Sequence, residues 1–201
     1  MAQTDLRIVK TRELIERAFL ECLDEDTFQN MTVKKITAKA RINRSTFYKH
    51  YQDKYDLKDR YVDQVLEEFT KSLDVTFLEE ETLRKQDYHE RLKESLVKMR
   101  QNKEIYQILW KSYLPERDVF GEMIERGTKR LEEVIRSNKT IQADRKEIAS
   151  LYSNLFVGTM MISVRWWFLE GVKMDVDTFT RIMILHMEEG IIQTLQGRMN
   201  Y

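Results

Sequence analysis

Proline occurs once in the 201 residues, at Pro115, and all six glycines lie at or beyond Gly121. So few breakers, beside abundant Glu, Lys, Leu, Met and Arg, point to an all-helical chain. No alternating apolar stretch is long enough to argue for a sheet. A single cysteine, Cys22, excludes an internal disulfide and fits a reducing compartment. It falls on the apolar face of the first helical stretch, where packing is its expected role. The three histidines, His50, His89 and His186, share no metal-ligand spacing with one another or with Cys22. There is no Gly-rich phosphate loop and no nucleophile motif. No metal, cofactor or enzymatic activity is expected. The opening MAQTDLRIVKTRE lacks the apolar core of a signal peptide. No uncharged run reaches the ~18 apolar residues of a membrane span, so a cytoplasmic location is expected.

Net charge is also lacking, with 34 basic and 34 acidic side chains, but the charges are unevenly placed. From Thr32 to Arg60 there are nine basic residues (Lys34, Lys35, Lys39, Arg41, Arg44, Lys49, Lys54, Lys58, Arg60) against Asp53, Asp56 and Asp59, a net of +6. The rest of the chain carries the balancing −6. Positive charge gathered in one segment of a neutral protein points to a polyanion partner there. A solvated helical face is the plainer reading of the same run.

The same segment holds two short helical patterns. Thr32 is suited to cap the first, which continues through Val33, Ile36 and Ala40. Asn43 is suited to cap the second, whose Phe47 and Tyr51 fall on one face at i, i+4. Only Arg41-Ile42-Asn43 connects them, with Ile42 placed to tuck between the helices. Two helices joined by so short a turn make a helix-turn-helix. On the outward face of the second, Arg44 and Tyr48 are four apart, and Ser45 and Lys49 lie beside them. Arg can reach guanine O6 and N7, and the hydroxyls can reach phosphate oxygens. Asp53 is placed to cap a third helix, so that Lys54 and the helix's N–H groups would suit one phosphate.

The segment ITAKARINRSTFYKHYQDK resembles the helix-turn-helix signature of the tetracycline-repressor (TetR) family of bacterial transcriptional regulators. The resemblance covers roughly the first sixty residues and rests above all on the run TFYKHYQDK. That family usually has Gly in the turn, where this chain has Arg41. A non-Gly residue held left-handed costs on the order of 1 kcal/mol. By the resemblance, Lys34, Arg44 and Ser45 match base-reading positions, and Thr32, Thr46, Tyr48, His50 and Lys54 match positions that hold phosphates. Helical geometry alone adds Lys49 to the base-facing set.

Along the chain, a first helix from about Thr4 to Leu23 carries the stripe Leu14/Ile15, Ala18/Phe19 and Cys22/Leu23. Phe28 and Met31 are placed to close the corner behind the two motif helices. From Asp53 an apolar pattern runs through Leu57, Tyr61, Val65, Leu66, Phe69 and Leu73. This predicts a helix-turn-helix domain over 1–52 and a helical domain over 53–201, which by the TetR resemblance is the effector-binding and dimerisation domain. In the latter, helices are expected around Leu83–Met99, Ile105–Tyr113, Val119–Ile135, Ala143–Leu169 and Val176–Leu195, the last capped by Asp175. The run Leu151–Phe168 is apolar on more than one face, so a second subunit is expected to cover what its own bundle does not. The TetR resemblance implies the same homodimer. It also implies an effector pocket, for which Tyr106, Trp110, Tyr113, Met123, Tyr152, Phe156, Met160 and Trp167 are candidates; plain core is the other reading of such residues. Three functions remain open. One is a DNA-binding repressor released from a palindromic operator by a small molecule. Another is a regulator of this type, activators included, controlled by a protein partner. The third is a helical scaffold or enzyme with an incidental basic patch.

Overall fold

The computed structural model describes residues 2–73, 85–137, 146–171 and 173–197, and among these it contains nine helices and no strand. They are α1 (Ala2–Glu25), α2 (Val33–Lys39), α3 (Arg44–Phe47), α4 (Lys54–Ser72), α5 (Lys85–Gln101), α6 (Lys103–Lys111), α7 (Val119–Ser137), α8 (Lys146–Leu169) and α9 (Val176–Gly197). The all-helical expectation holds. Leu83 and the stretch 143–145, included in two expected helices, lie outside the described residues. The chain forms two compact units. One combines the N-terminal part up to Glu68 with Glu104–Glu122; the other combines Phe69–Lys103 with the chain from Met123 onward.

In the first unit, Ile15, Ala18, Phe19, Cys22 and Leu23 are buried, while Leu14 is turned outward at 37% exposure. The stripe is thus narrower than its sequence implies. Phe19 meets Phe28 and Tyr61 edge-on at 6.4 and 5.8 Å, and Phe28 and Met31 are both buried. Ile36, Ala40, Phe47 and Tyr51 complete this core, with Ile42 half-buried between the motif helices. The α6–α7 turn belongs to the same unit. Lys58 Nζ donates to the Pro115 carbonyl at 2.7 Å. Arg117 bonds Asp63 at 2.9 Å and Glu122 at 2.8 Å, and pairs with Asp59 at 3.5 Å.

In the second unit α5 packs on α9, Lys93 pairs with Asp177 at 2.5 Å, and the Trp167 ring stacks on Phe179 at 4.4 Å. Asp175 caps α9 through the Thr178 N–H at 2.8 Å, as its position implied. α7 and α8 approach closely at Gly127, where a Cβ would lie 2.9 Å from Val157 Cγ1. α8 has two opposed faces. Ala149, Ser153, Val157, Met161, Val164, Trp167 and Phe168 are buried. Ile148, Leu151, Tyr152, Leu155, Ile162 and Trp166 form an exposed stripe, with Leu155 at 56% and Ile162 at 63%. Among the described residues, Glu147–Leu169 is the one helix long and apolar enough by length and composition to cross a membrane. A helix made to be covered by protein on two sides meets the same test.

Candidate nucleic-acid interface

The helix-turn-helix is set by its caps. Thr32 is extended, and its Oγ1 accepts the Lys35 N–H at 3.2 Å, leaving the hydroxyl proton available. α2 ends in a Schellman turn: the Arg41 N–H reaches the Ala38 carbonyl at 3.2 Å and the Ile42 N–H reaches that of Thr37 at 3.0 Å. This closure puts Arg41 at φ 55. The turn therefore keeps the left-handed geometry that glycine would adopt freely, and the chain bears a strain of roughly 1–2 kcal/mol. Asn43 has the extended backbone of an N-cap but makes no side-chain cap bond, contrary to its expected part. α3 itself is a single turn, Arg44–Phe47, prolonged by turns through His50. Buried Phe47 anchors it from below.

Behind α3, the Tyr51 hydroxyl donates to Glu16 Oε1 at 2.8 Å, and Arg12 lies 3.4 Å from the same carboxylate. Burial raises the Glu16 carboxyl above its ordinary value of 4.5, against the lowering influence of the Tyr51 bond and Arg12. The folded state then holds this proton more tightly than the unfolded chain. The carboxyl's contribution to stability is greatest below 4.5 and is lost as pH rises through the folded value. Glu16→Gln keeps an acceptor for Tyr51 and is expected to remove this component. Thermal melts between pH 4 and 7 check it: an unchanged pH slope in the variant would refute the assignment.

The side chains expected at DNA divide by geometry. Lys34, Arg44, Ser45, Tyr48 and Lys49 are exposed, as is Thr32; Thr46 and His50 are half-buried. Burial, then the nearby positive charges of Arg12, Arg60 and Lys49, lowers the His50 pKa, so its ring is neutral at pH 7 and offers one N–H.

Lys54 departs from its expected role. Its ammonium donates to the carbonyls of Phe28, Gln29 and Met31 at 2.9, 3.1 and 2.8 Å and lies 4.8 Å from the Phe28 ring centroid. An ammonium has three protons, and all three are committed. The start of α4 is occupied as well: Asp53 Oδ1 accepts the N–H groups of Tyr55 at 2.7 Å and Asp56 at 2.9 Å. A carboxylate already stands where a phosphate was expected. The sequence held the signal, because Lys54, Leu57, Lys58, Tyr61 and Val65 fall on one stripe of α4 and the last four are buried.

The nine cations of this segment divide in the same way. Lys35 pairs with Asp26 at 3.1 Å, and Lys39 with Glu25 at 2.6 Å. Lys54 and Lys58 are turned inward. Arg60 donates to the His50 carbonyl at 2.7 Å and lies over the Tyr51 ring. Lys34, Arg41, Arg44 and Lys49 are exposed and form no ion pair among the described residues. They stand at the start of α2, in the turn, at the start of α3 and just after it. The unbalanced positive charge is thereby narrowed to the helix-turn-helix itself. Of these four, only Arg41 was passed over as a contact, having been considered for its backbone alone.

The eight expected effector-pocket residues are split between the units. Tyr106, Trp110 and Tyr113 belong to the first, where Tyr106 stacks on Trp110 at 5.5 Å and Tyr113 is 75% exposed. Met123, Tyr152, Phe156, Met160 and Trp167 belong to the second. There Met123 and Trp167 are buried, Phe156 and Met160 half-buried, and Tyr152 lies on the exposed stripe of α8. The Trp167 indole N–H donates to the Met174 carbonyl at 2.8 Å, a core arrangement.

The described residues, helical throughout with an N-terminal helix-turn-helix, share their fold with solved transcriptional regulators, one of them a TetR transcriptional regulator. No family model matches the sequence. The uncharacterized HTH-type transcriptional regulator YxbF of Bacillus subtilis (strain 168) is 45% identical over 56 residues. Those residues make up 27% of this chain and only 15% of that protein. Among solved structures, a TetR transcriptional regulator from Streptococcus agalactiae 2603V is 21% identical with a TM-score of 0.58, covering 92% of this chain and 97% of its own. NalD, the secondary repressor of the MexAB-OprM multidrug efflux pump in Pseudomonas aeruginosa, is 17% identical with a TM-score of 0.65, covering 91% and 97%. SmeT, solved as a complex with triclosan, is 17% identical with a TM-score of 0.64, covering 87% and 88%. At these identities the solved structures bear on the fold.

Proposed function

We propose that the chain is a cytoplasmic, sequence-specific DNA-binding transcriptional regulator. In this reading a homodimer represses from a palindromic operator and is released by a small-molecule effector. The observation that carries it is the unpaired cation set on the helix-turn-helix, beside neighbouring cations that are all internally compensated. Arg44, Ser45, Lys49 and Lys34 face the bases. Thr32, Thr46, Tyr48 and His50 offer hydroxyl and imidazole protons to phosphates. The exposed stripe of α8 supports the homodimer, since six large apolar side chains on one helix face need a cover. NalD's description as a repressor and SmeT's complex with triclosan support the repressor and effector parts by analogy of fold alone.

Selection of bound duplexes from a random library is expected to return an inverted repeat with half-sites about one helical turn apart, roughly 34–36 Å. Arg44→Ala is expected to relax preference at one base position in each half-site, at a cost of about 1–3 kcal/mol. Recovery of only asymmetric or random sequence would refute the proposal. A uniform loss across sequences in the variant would move Arg44 to the phosphates.

A further inference from the structure

We infer that Arg41, in the turn between α2 and α3, binds a DNA backbone phosphate and fixes the register of α3 in the groove. The inference rests on the DNA-binding reading above. Everything that closes the turn comes from the backbone, namely the two N–H bonds to Ala38 and Thr37. The Arg41 side chain is exposed and has no ion pair among the described residues, so it adds nothing to the fold. Its backbone is held at φ 55, where glycine alone is unstrained. The fold would therefore be better served by glycine, and the reason for a cation here lies outside the fold.

Its position says what that reason is. Only Ile42 and Asn43 separate Arg41 from Arg44, so their Cα atoms, three steps apart along the chain, are within about 11 Å. The major groove is about 12 Å wide. When the start of α3 reaches base edges, Arg41 therefore lies at the groove wall, where the phosphates are. A guanidinium suits that place, because it offers phosphate a paired set of donors and stays charged. The neighbouring cation fits this division: Lys39, two residues earlier at the end of α2, is paired with Glu25 at 2.6 Å, whereas Arg41 is left unbalanced.

The test measures binding to a library-selected duplex and to a random-sequence duplex across a salt series. Arg41→Gly and Arg41→Gln are each expected to make the log–log salt slope shallower by about 0.9 per half-site, about 1.8 for the bound dimer, equally for both duplexes. Arg41→Lys, which keeps the charge, is expected to retain the slope. Thermal melting of Arg41→Gly should be no lower than that of the parent chain and roughly 2–4 °C higher, which separates lost contact from lost fold. An unchanged slope in Arg41→Gly would overturn the inference and leave a solvated turn residue. A loss confined to the selected duplex would overturn it too, by making Arg41 a base contact. A parent chain that binds neither duplex would refute the DNA reading itself, and this inference with it.

Discussion

Replacing Leu155 and Ile162 together by Glu is expected to leave a folded monomer that has lost more than a hundredfold in operator affinity. Both side chains lie on the exposed stripe of α8, so the fold of one protomer does not depend on them. In a two-fold interface each substitution counts twice. Burying an aliphatic side chain is worth about 1.5–3 kcal/mol, so four of them exceed the ~4 kcal/mol that corresponds to a thousandfold in a dissociation constant. Four carboxylates brought into one apolar interface add to the cost. Two half-sites held by linked reading units gain roughly 10²–10⁴ over one, and the monomer forfeits that gain. Sedimentation at micromolar concentration and circular dichroism check this. A double variant that still sediments as a dimer would place the subunit contact elsewhere.

Lys54→Met is expected to lower the melting temperature by about 6–12 °C without altering the salt dependence of DNA binding. The substitution keeps the aliphatic stem and removes three donors from the Phe28, Gln29 and Met31 carbonyls. Losing part of three bonds to a charged donor costs about 3 kcal/mol, and a chain of this size melts roughly 2–4 °C lower per kcal/mol. Burial also lowers the Lys54 pKa, as expected for an ammonium partly removed from water. A variant with unchanged melting but a salt slope shallower by about 0.9 per half-site, about 1.8 for the dimer, would return Lys54 to the phosphates.

Much of the reading unit was legible in the sequence because it depends on neighbours close in the chain. The Thr32 cap, the short turn and the Phe47–Tyr51 pair are all decided within a few residues. So was the question posed by Arg41, though its answer was not: only the backbone shows that the strain is borne rather than relieved. The long cations were harder. Lys54 and Lys58 count as positive charges in any sum, but their direction depends on carbonyls 23–57 residues away. Helical phase would have placed them on the apolar side of α4, and charge counting hides phase. The exposed half of α8 was legible as an excess of apolar residues over what one bundle can bury. The Arg117 network was not, because its partners Asp59 and Asp63 are ordinary acids in sequence and become a set only when α4 lies beside the α6–α7 turn.

That network bears on how such a protein can be inherited. The compact unit that carries the helix-turn-helix is assembled from two separate lengths of chain, the second being Glu104–Glu122. Lys58 on the first length holds the Pro115 carbonyl on the second, and Arg117 on the second holds acids on the first. A recombination event that exchanged only the N-terminal segment for a relative's would separate these partners. Arg117 would then face a foreign helix without Asp59 and Asp63, and the Pro115 carbonyl would lose the Lys58 ammonium. Exchange of the N-terminal segment alone is therefore expected to cost stability that point substitution at exposed positions of α2, α3 and the turn does not.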